Sequence, residues 1–193
     1  LVAFTVDKEY MYDSQFHGLK VIPFEDLPIK YPPTVVELFI AIGPTNMNKV
    51  RAKYFNLAKS KGYKMANFIS KNAVVDSPLG ENNFVGDLSV INPLVKIGDN
   101  NIIYDHCNIL SCSKITDHCY LSPKSIIGTN SVVKRNSIIG MNAVIKTQIT
   151  IAEETLIGAQ CYIAKDTEYK GVYGVKSSQL LGCISDKIQM SMI

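Results

Sequence analysis

Histidine is scarce in this sequence, with three copies at positions 17, 106 and 118, and no two cysteines are spaced as a CxxC pair. The five cysteines, at 107, 112, 119, 161 and 183, are odd in number. Neither a disulfide framework nor a zinc knuckle is suggested on that count, and the cysteines read as reduced thiols. Long apolar runs are missing too. The run from Leu38 to Ile42 falls far short of the roughly 20 residues that cross a bilayer, and no basic segment followed by an apolar one opens the chain. No membrane insertion is expected, and a cytoplasmic address is. A strong charge of one sign is also lacking: the formal net charge of +3 comes from scattered lysines, too weak a field for a nucleic-acid partner.

What is present suffices for a core, since 47% of the 193 residues are apolar. Residues 1–68 read as a small α/β unit. Val2 to Val6, Val21-Ile22 with Phe24, and Leu38 to Ile42 are apolar runs bounded by polar residues or proline, as buried strands are. Between Thr45 and Gly62, Met47, Val50, Tyr54 and Leu57 recur at steps of three and four. That spacing predicts one amphipathic helix, started at Thr45 and stopped by Gly62. Met65 to Ile69 then leads out as a strand, and the alternation favours a small parallel, Rossmann-like sheet.

A strict period of six follows. Every sixth residue from Val85 to Ile163 is Val, Ile or Leu, and Ile69 and Val75 join the series before a break around Asp76 to Asn83. Four positions after most anchors stands a compact residue such as Ser89, Cys107, Ser113, Cys119, Ser125, Ser131, Ser137, Ala143 or Thr155, with Asn101 and Ile149 as exceptions. Neither a helix nor a simple alternating strand has this period. It fits a solenoid in which each repeat makes one flat side and a corner, three repeats to a coil, with aliphatic side chains stacked along the axis. The chain is therefore expected to be mainly β, with the solenoid over 69–170 and a tail at 171–193. In that tail Leu180, Leu181, Ile184 and Ile188 are spaced for a short capping helix.

The segments Ile97-Gly98-Asp99-Asn100, Ile127-Gly128-Thr129-Asn130, Ile139-Gly140-Met141-Asn142-Ala143 and Ile157-Gly158-Ala159-Gln160-Cys161 resemble the hexapeptide repeats of the left-handed parallel β-helix sugar acyltransferases. With Val2 to Asp7, Phe39 to Gly43 and Val90 to Gly98, the whole chain is similar to one subgroup. These are the acetyltransferases of nucleotide-linked amino sugars and their relatives, the sialic acid O-acetyltransferases. The resemblance implies an acetyl-CoA-dependent acetyltransferase of bacterial surface glycan biosynthesis, working as a homotrimer with sites between neighbouring helices. That family opens one strand and one helix earlier, with a glycine-rich turn, so the sequence is expected to start part-way through the unit.

The same resemblance assigns Asp7, Gly43, Asn48 and Arg51 to the nucleotide sugar. A glycine there would let the backbone approach a pyrophosphate, next to free N–H groups at a helix start. Gly140, Met141, Gly158 and Ala159 would lie against the pantetheine arm of acetyl-CoA, and Lys176 would meet a phosphate. Acetyl transfer needs a base, an oxyanion donor and a cofactor slot. The family's catalytic histidine falls at Ser111, its helper at Cys112, and a further histidine at Tyr120. The remaining candidates for the base are His106 and His118, each three residues past an anchor and each preceded by an aspartate. A column of polar corner residues is the alternative account of His118. A catalytically silent sugar-nucleotide-binding or assembly protein is the alternative account of the chain. No metal site is expected, because the solenoid holds two histidines where a zinc site between subunits needs three.

Overall fold

A computed structural model describes residues 1–176. The expected capping helix and Cys183 lie outside the described residues.

At the N-terminus, β1 (Ala3–Val6) runs parallel to β3 (Leu19–Pro23), and β2 (Gln15–Phe16) lies antiparallel on the other side of β3. The hairpin between β2 and β3 turns at His17 and Gly18, both with positive φ (46° and 76°), as a two-residue hairpin requires. A short helix, α1 (Leu27–Lys30), follows. The strand expected over Leu38 to Ile42 shrinks to one parallel bridge, Leu38 with Met65. The cause is non-local: the Ile40 N–H is taken by Asn82 Oδ1 at 2.7 Å, so this stretch is tied to the solenoid instead of to a sheet.

The predicted helix is present as α2 (Lys49–Ser60), but it begins later than Thr45. Asn46, Met47 and Asn48 all have positive φ (50°, 52° and 63°), which places the cap at Asn48. Gly62, at φ 87°, ends the helix as expected. Phe24, Leu27, Ile40, Phe55, Ala58, Tyr63 and Met65 form this unit's core.

From Phe68 onward the chain is a three-sided parallel β-helix of two-residue strands. Face I stacks the strands at Phe68–Ile69, Phe84–Val85, Ile102–Ile103, Tyr120–Leu121, Ile138–Ile139, Leu156–Ile157 and Val172–Tyr173. Face II runs from Val74–Val75 to Tyr162–Ile163, and face III from Lys96–Ile97 to Thr150–Ile151. Residues 18 apart pair in register, Asn108 with Ile126 and Ile109 with Ile127. The second residue of each strand points inward. Ile91, Ile103, Ile109, Ile115, Leu121, Ile127, Val133, Ile139 and Ile151 are fully buried in a single core.

The compact corner residues do more than fit. Ser89, Ser113, Ser131 and Ser137 each donate a hydroxyl to a carbonyl of the next coil, at 2.7–2.9 Å. The exception at Asn101 belongs to a similar ladder. Its Oδ1 accepts the Cys119 N–H at 2.7 Å, and its own N–H bonds Asn83 Oδ1 at 3.0 Å.

At every corner the third residue after the anchor is left-handed, with φ between 55° and 65° from Asn82 through Gln160. Asparagine and histidine tolerate that region better than most residues, which is a backbone reason for the asparagines and for both His106 and His118.

Because each core side chain rests on the ones in the coils above and below, truncating one leaves a cavity with little room to collapse. Leu121→Ala is expected to cost about 2–5 kcal/mol, read as a lowered urea midpoint. A shift equivalent to less than about 1 kcal/mol would contradict this close stacking.

Candidate functional site

The β-helix has three corners, and the residues singled out from the sequence divide among them. The corner between faces III and I carries the polar column Asn82, Asn100, His118, Asn136 and Glu154, and α2 lies along it. A helical turn rises about 5.4 Å and stacked strands sit about 4.8 Å apart, so a helix can follow such a column nearly turn for coil. Lys59 pairs with Glu81, and the Phe55 ring meets the His118 ring edge-on at 5.7 Å. Asn48 Nδ2 reaches the carbonyls of Asn136 and Ser137 at 3.4 Å, and Lys49 pairs with Glu154 at 2.7 Å.

Arg51 is fully buried in this seam. Its Nε donates to the Asn100 carbonyl at 3.3 Å, its Nη2 to Cys119 at 3.1 Å, and its Nη1 to Ile42 and Gly43 at 3.3 and 3.4 Å. Burial lowers its pKa to about 10. The expectation that Arg51 and Asn48 face a nucleotide sugar is therefore corrected. Both side chains are sealed between α2 and the β-helix, and they spend their donors on main-chain carbonyls. Nor is Arg51 exposed to solvent. Asn48 Oδ1 and Asn136 Oδ1 are buried there without a partner among the described residues, a cost of about 1–3 kcal/mol each.

His118 is 7% exposed. Its Nδ1 lies 2.8 Å from Asn100 Nδ2, and its pKa is lowered, by burial above all. The aspartate before it does not orient its ring. Asp117 Oδ1 accepts the Asp99 N–H at 2.9 Å, and its other oxygen faces Arg135 at 3.5 Å. As a base in a cleft, His118 is poorly placed: it is covered by Phe55 and its Nδ1 is already hydrogen-bonded.

The corner between faces I and II holds His106. This ring is exposed and makes no hydrogen bond among the described residues. Its neighbour Asp105 caps the Asp87 N–H at 2.8 Å. Gly140-Met141 and Gly158-Ala159 sit on the same corner in adjacent coils, the first pair two coils beyond His106, a separation of about 10 Å. Met141 is 54% exposed. The glycines answer to coil stacking, since a Cβ on Gly140 would lie 2.5 Å from the Gly158 carbonyl carbon. Lys176 is exposed at the end of the described chain.

The third corner, between faces II and III, carries Ser111 and the exposed Cys112. Tyr120 projects from face I, where Phe68, Phe84, Tyr104 and Tyr120 form an aromatic ladder with ring centroids 4.9–5.6 Å apart. Desolvation pushes the Tyr120 hydroxyl up to about 12.

In the N-terminal unit, a cavity of ≈ 810 Å³ lies between β1 and the Val35 to Ile42 stretch. It is walled by apolar residues, with Asp7, Tyr10 and Tyr54 among its lining. The Tyr54 hydroxyl donates to the Asp7 carboxylate, which pushes that hydroxyl up to about 12. Beside Gly43 there is open space, so nothing within the protein demands a glycine at that point. The sequence reading missed Tyr54 as a partner of Asp7 and the buried column under α2. The spacing of Arg51, Phe55 and Ala58 was the available signal for the latter.

No protein-family model matches this sequence, and no curated protein does. Solved structures do. A variant of perosamine N-acetyltransferase from Caulobacter crescentus, in complex with CoA and GDP-perosamine, is 28% identical. The match covers 80% of this chain and 75% of that one, with a TM-score of 0.72. The acetyltransferase domain of PglB from Neisseria gonorrhoeae FA1090 is 20% identical over 88% of this chain and 82% of that one, TM-score 0.77. WeeI from Acinetobacter baumannii AYE is 22% identical over 90% and 80%, TM-score 0.74.

Removing the buried guanidinium would strand the carbonyls it serves, so Arg51→Ala is expected to cost on the order of 3 kcal/mol in urea unfolding. Lysine should restore only part, because one ammonium cannot fork to carbonyls on both units. An unchanged midpoint in Arg51→Ala would remove the seam as the tie between them. Thiol labelling of the native chain, mapped by peptide, should modify Cys112 and spare Cys107 and Cys119. Burial raises the Cys107 thiol and pushes that of Cys119 up to about 12. Equal labelling of Cys119 would show that the coils open readily.

Proposed function

We propose that this chain, which shares the left-handed β-helix of the sugar acyltransferases, is an acetyl-CoA-dependent acetyltransferase acting on a nucleotide-linked amino sugar. The observation that carries this reading is the 28% identical likeness, over both the N-terminal unit and the coils, to an N-acetyltransferase solved with CoA and a nucleotide sugar. Acetyl-CoA is the donor. The sugar amine or hydroxyl attacks the thioester carbonyl, its proton goes to a base, and the coenzyme leaves as a thiolate.

Of the two β-helix histidines, His106 is the one free to take that proton, since its ring is exposed and uncommitted. Gly140, Met141, Gly158 and Ala159 offer the pantetheine arm a narrow strip on the same corner, and Lys176 supplies a charge for a coenzyme phosphate. Asp7, in the lining of the N-terminal cavity, and the exposed Gly43 serve the nucleotide. The N-terminal unit lies along a different corner from His106 and the glycine strip, so a second chain would complete the site. The outward apolar row Phe68, Phe84, Ile102, Tyr120, Ile138 and Leu156 on face I is a surface that another copy would cover, in keeping with a homotrimer. No described helix is long and apolar enough to cross a membrane. A cytoplasmic site of action, where acetyl-CoA and nucleotide sugars are made, suits the chain.

The test is direct. The full chain with acetyl-CoA and a panel of amino-sugar nucleotides should release coenzyme thiol, and His106→Ala should lower kcat by roughly 10²–10⁴-fold with little change in KM. Turnover that survives His106→Ala would remove His106 as the base. Donor binding without turnover on any acceptor would favour the silent binding protein.

A further inference from the structure

The hydrogen-bonded column beneath α2 has a direction, and a main-chain group sets it. The Ile40 N–H can only donate, so the Asn82 side-chain atom 2.7 Å from it is the oxygen. Asn82 therefore presents its NH₂ to the next rung, where it meets Asn100 Oδ1 at 2.7 Å. Asn100 in turn presents its NH₂ to His118 Nδ1 at 2.8 Å. Three links from an unambiguous donor, Nδ1 of His118 must be an acceptor. The ring is then neutral and carries its proton on Nε2.

We infer that His118 is a proton-sensitive latch on the docking of the N-terminal unit: a second proton on its ring breaks the column and loosens α2 and the Ile40 to Gly43 stretch from the coils.

With Nδ1 protonated, two donors face each other across 2.8 Å. Flipping Asn100 and Asn82 to rescue that contact only carries the clash to the Ile40 N–H, which cannot turn round. The surrounding charges add to the effect. From α2, the Arg51 guanidinium passes beside the ring to reach the carbonyls of Asn100 and Cys119, and Phe55 covers the ring. From the coils, Asn100 and Asn136 flank it, with Arg135 opposing a charged ring and Asp117 and Asp99 favouring one. Both aspartates already accept main-chain N–H groups, and Asp117 also holds Arg135, so their help is partly spent.

The sign follows from the lowered pKa. The unfolded chain takes up the proton near the ordinary value of 6.5, while the folded chain resists it until a lower pH. The column's contribution is thus complete above that value and is lost as pH falls below it.

This inference stands apart from the acetyltransferase reading, and its test needs no turnover. Nitrogen-15 shifts of the imidazoles in the full chain should show His118 as the Nε2–H tautomer, titrating below the ordinary value of 6.5. An Nδ1–H tautomer, or titration of His118 at or above 6.5, overturns the proposal. Hydrogen exchange, corrected for its intrinsic pH dependence, should show α2 amides losing about tenfold protection or more between about pH 7 and about pH 5, while the coils from Ile127 to Ile157 hold. His118→Asn installs the residue found one rung below and one rung above, and it should abolish that loss. The same loss in His118→Asn, or none in the unaltered chain, overturns the latch. Should the variant fail to fold, the tautomer and the titration decide.

Discussion

The stacking of one aliphatic side chain per six residues along a common axis is the constraint from which the rest of this structure follows. Each strand is only two residues long, too short to persist alone, and it is held because its inward side chain lies on those of the coils above and below while its main chain pairs with both. The stack fixes where each corner falls. Every corner must then turn within a few residues, which forces its third residue into the left-handed region. Composition at the corners is chosen by that geometry before any function is considered. Asparagine recurs there for this reason, and Leu88 and Leu94 occupy the same conformation without its advantage.

Seen from the corners, the two histidines of the solenoid have the same origin and different fates. Both sit at the left-handed position of equivalent repeats, and both follow an aspartate whose carboxylate bonds an N–H of the preceding coil. The difference comes from outside the repeat. One corner is covered by α2, which buries His118 and commits its lone pair; the other is left open, and His106 keeps its ring free. A residue's chemistry in this fold is thus decided by which side of the prism the N-terminal unit occupies.

Much of this was legible in the sequence. The six-residue period announced the coils, the register and the core, because the interaction involved repeats locally and identically. The N-terminal unit was legible only in outline. Val2 to Val6 and the helix between Thr45 and Gly62 are there, but Leu38 to Ile42 fails to form a strand because Ile40 bonds a side chain 42 residues away. No local propensity records such a contact. Arg51 misled for a related reason. Within the predicted stripe, Val50, Tyr54 and Leu57 mark one face of α2, yet the most deeply buried positions, Arg51, Phe55 and Ala58, lie on another face. The helix is wedged between two bodies, and only the more apolar of its two contact faces looked buried.

That double use of α2 links the two halves physically. Val50 and Tyr54 line the N-terminal cavity, while Arg51 and Phe55 grip the coil corner. Most of Arg51's partners are carbonyls of turns, whose positions depend on the backbone path and hardly at all on side-chain identity. A guanidinium that reads carbonyls on Asn100 and Cys119, as well as on Ile42 and Gly43, measures the distance between the coils and the loop that begins at Gly43. Substitutions on the outside of the prism leave that distance unchanged. A change in the corner column does not, because the column carries the same carbonyls. The orientation of the N-terminal unit is therefore set by the least variable part of the β-helix, its main chain, and is tuned by the histidine rung of the column.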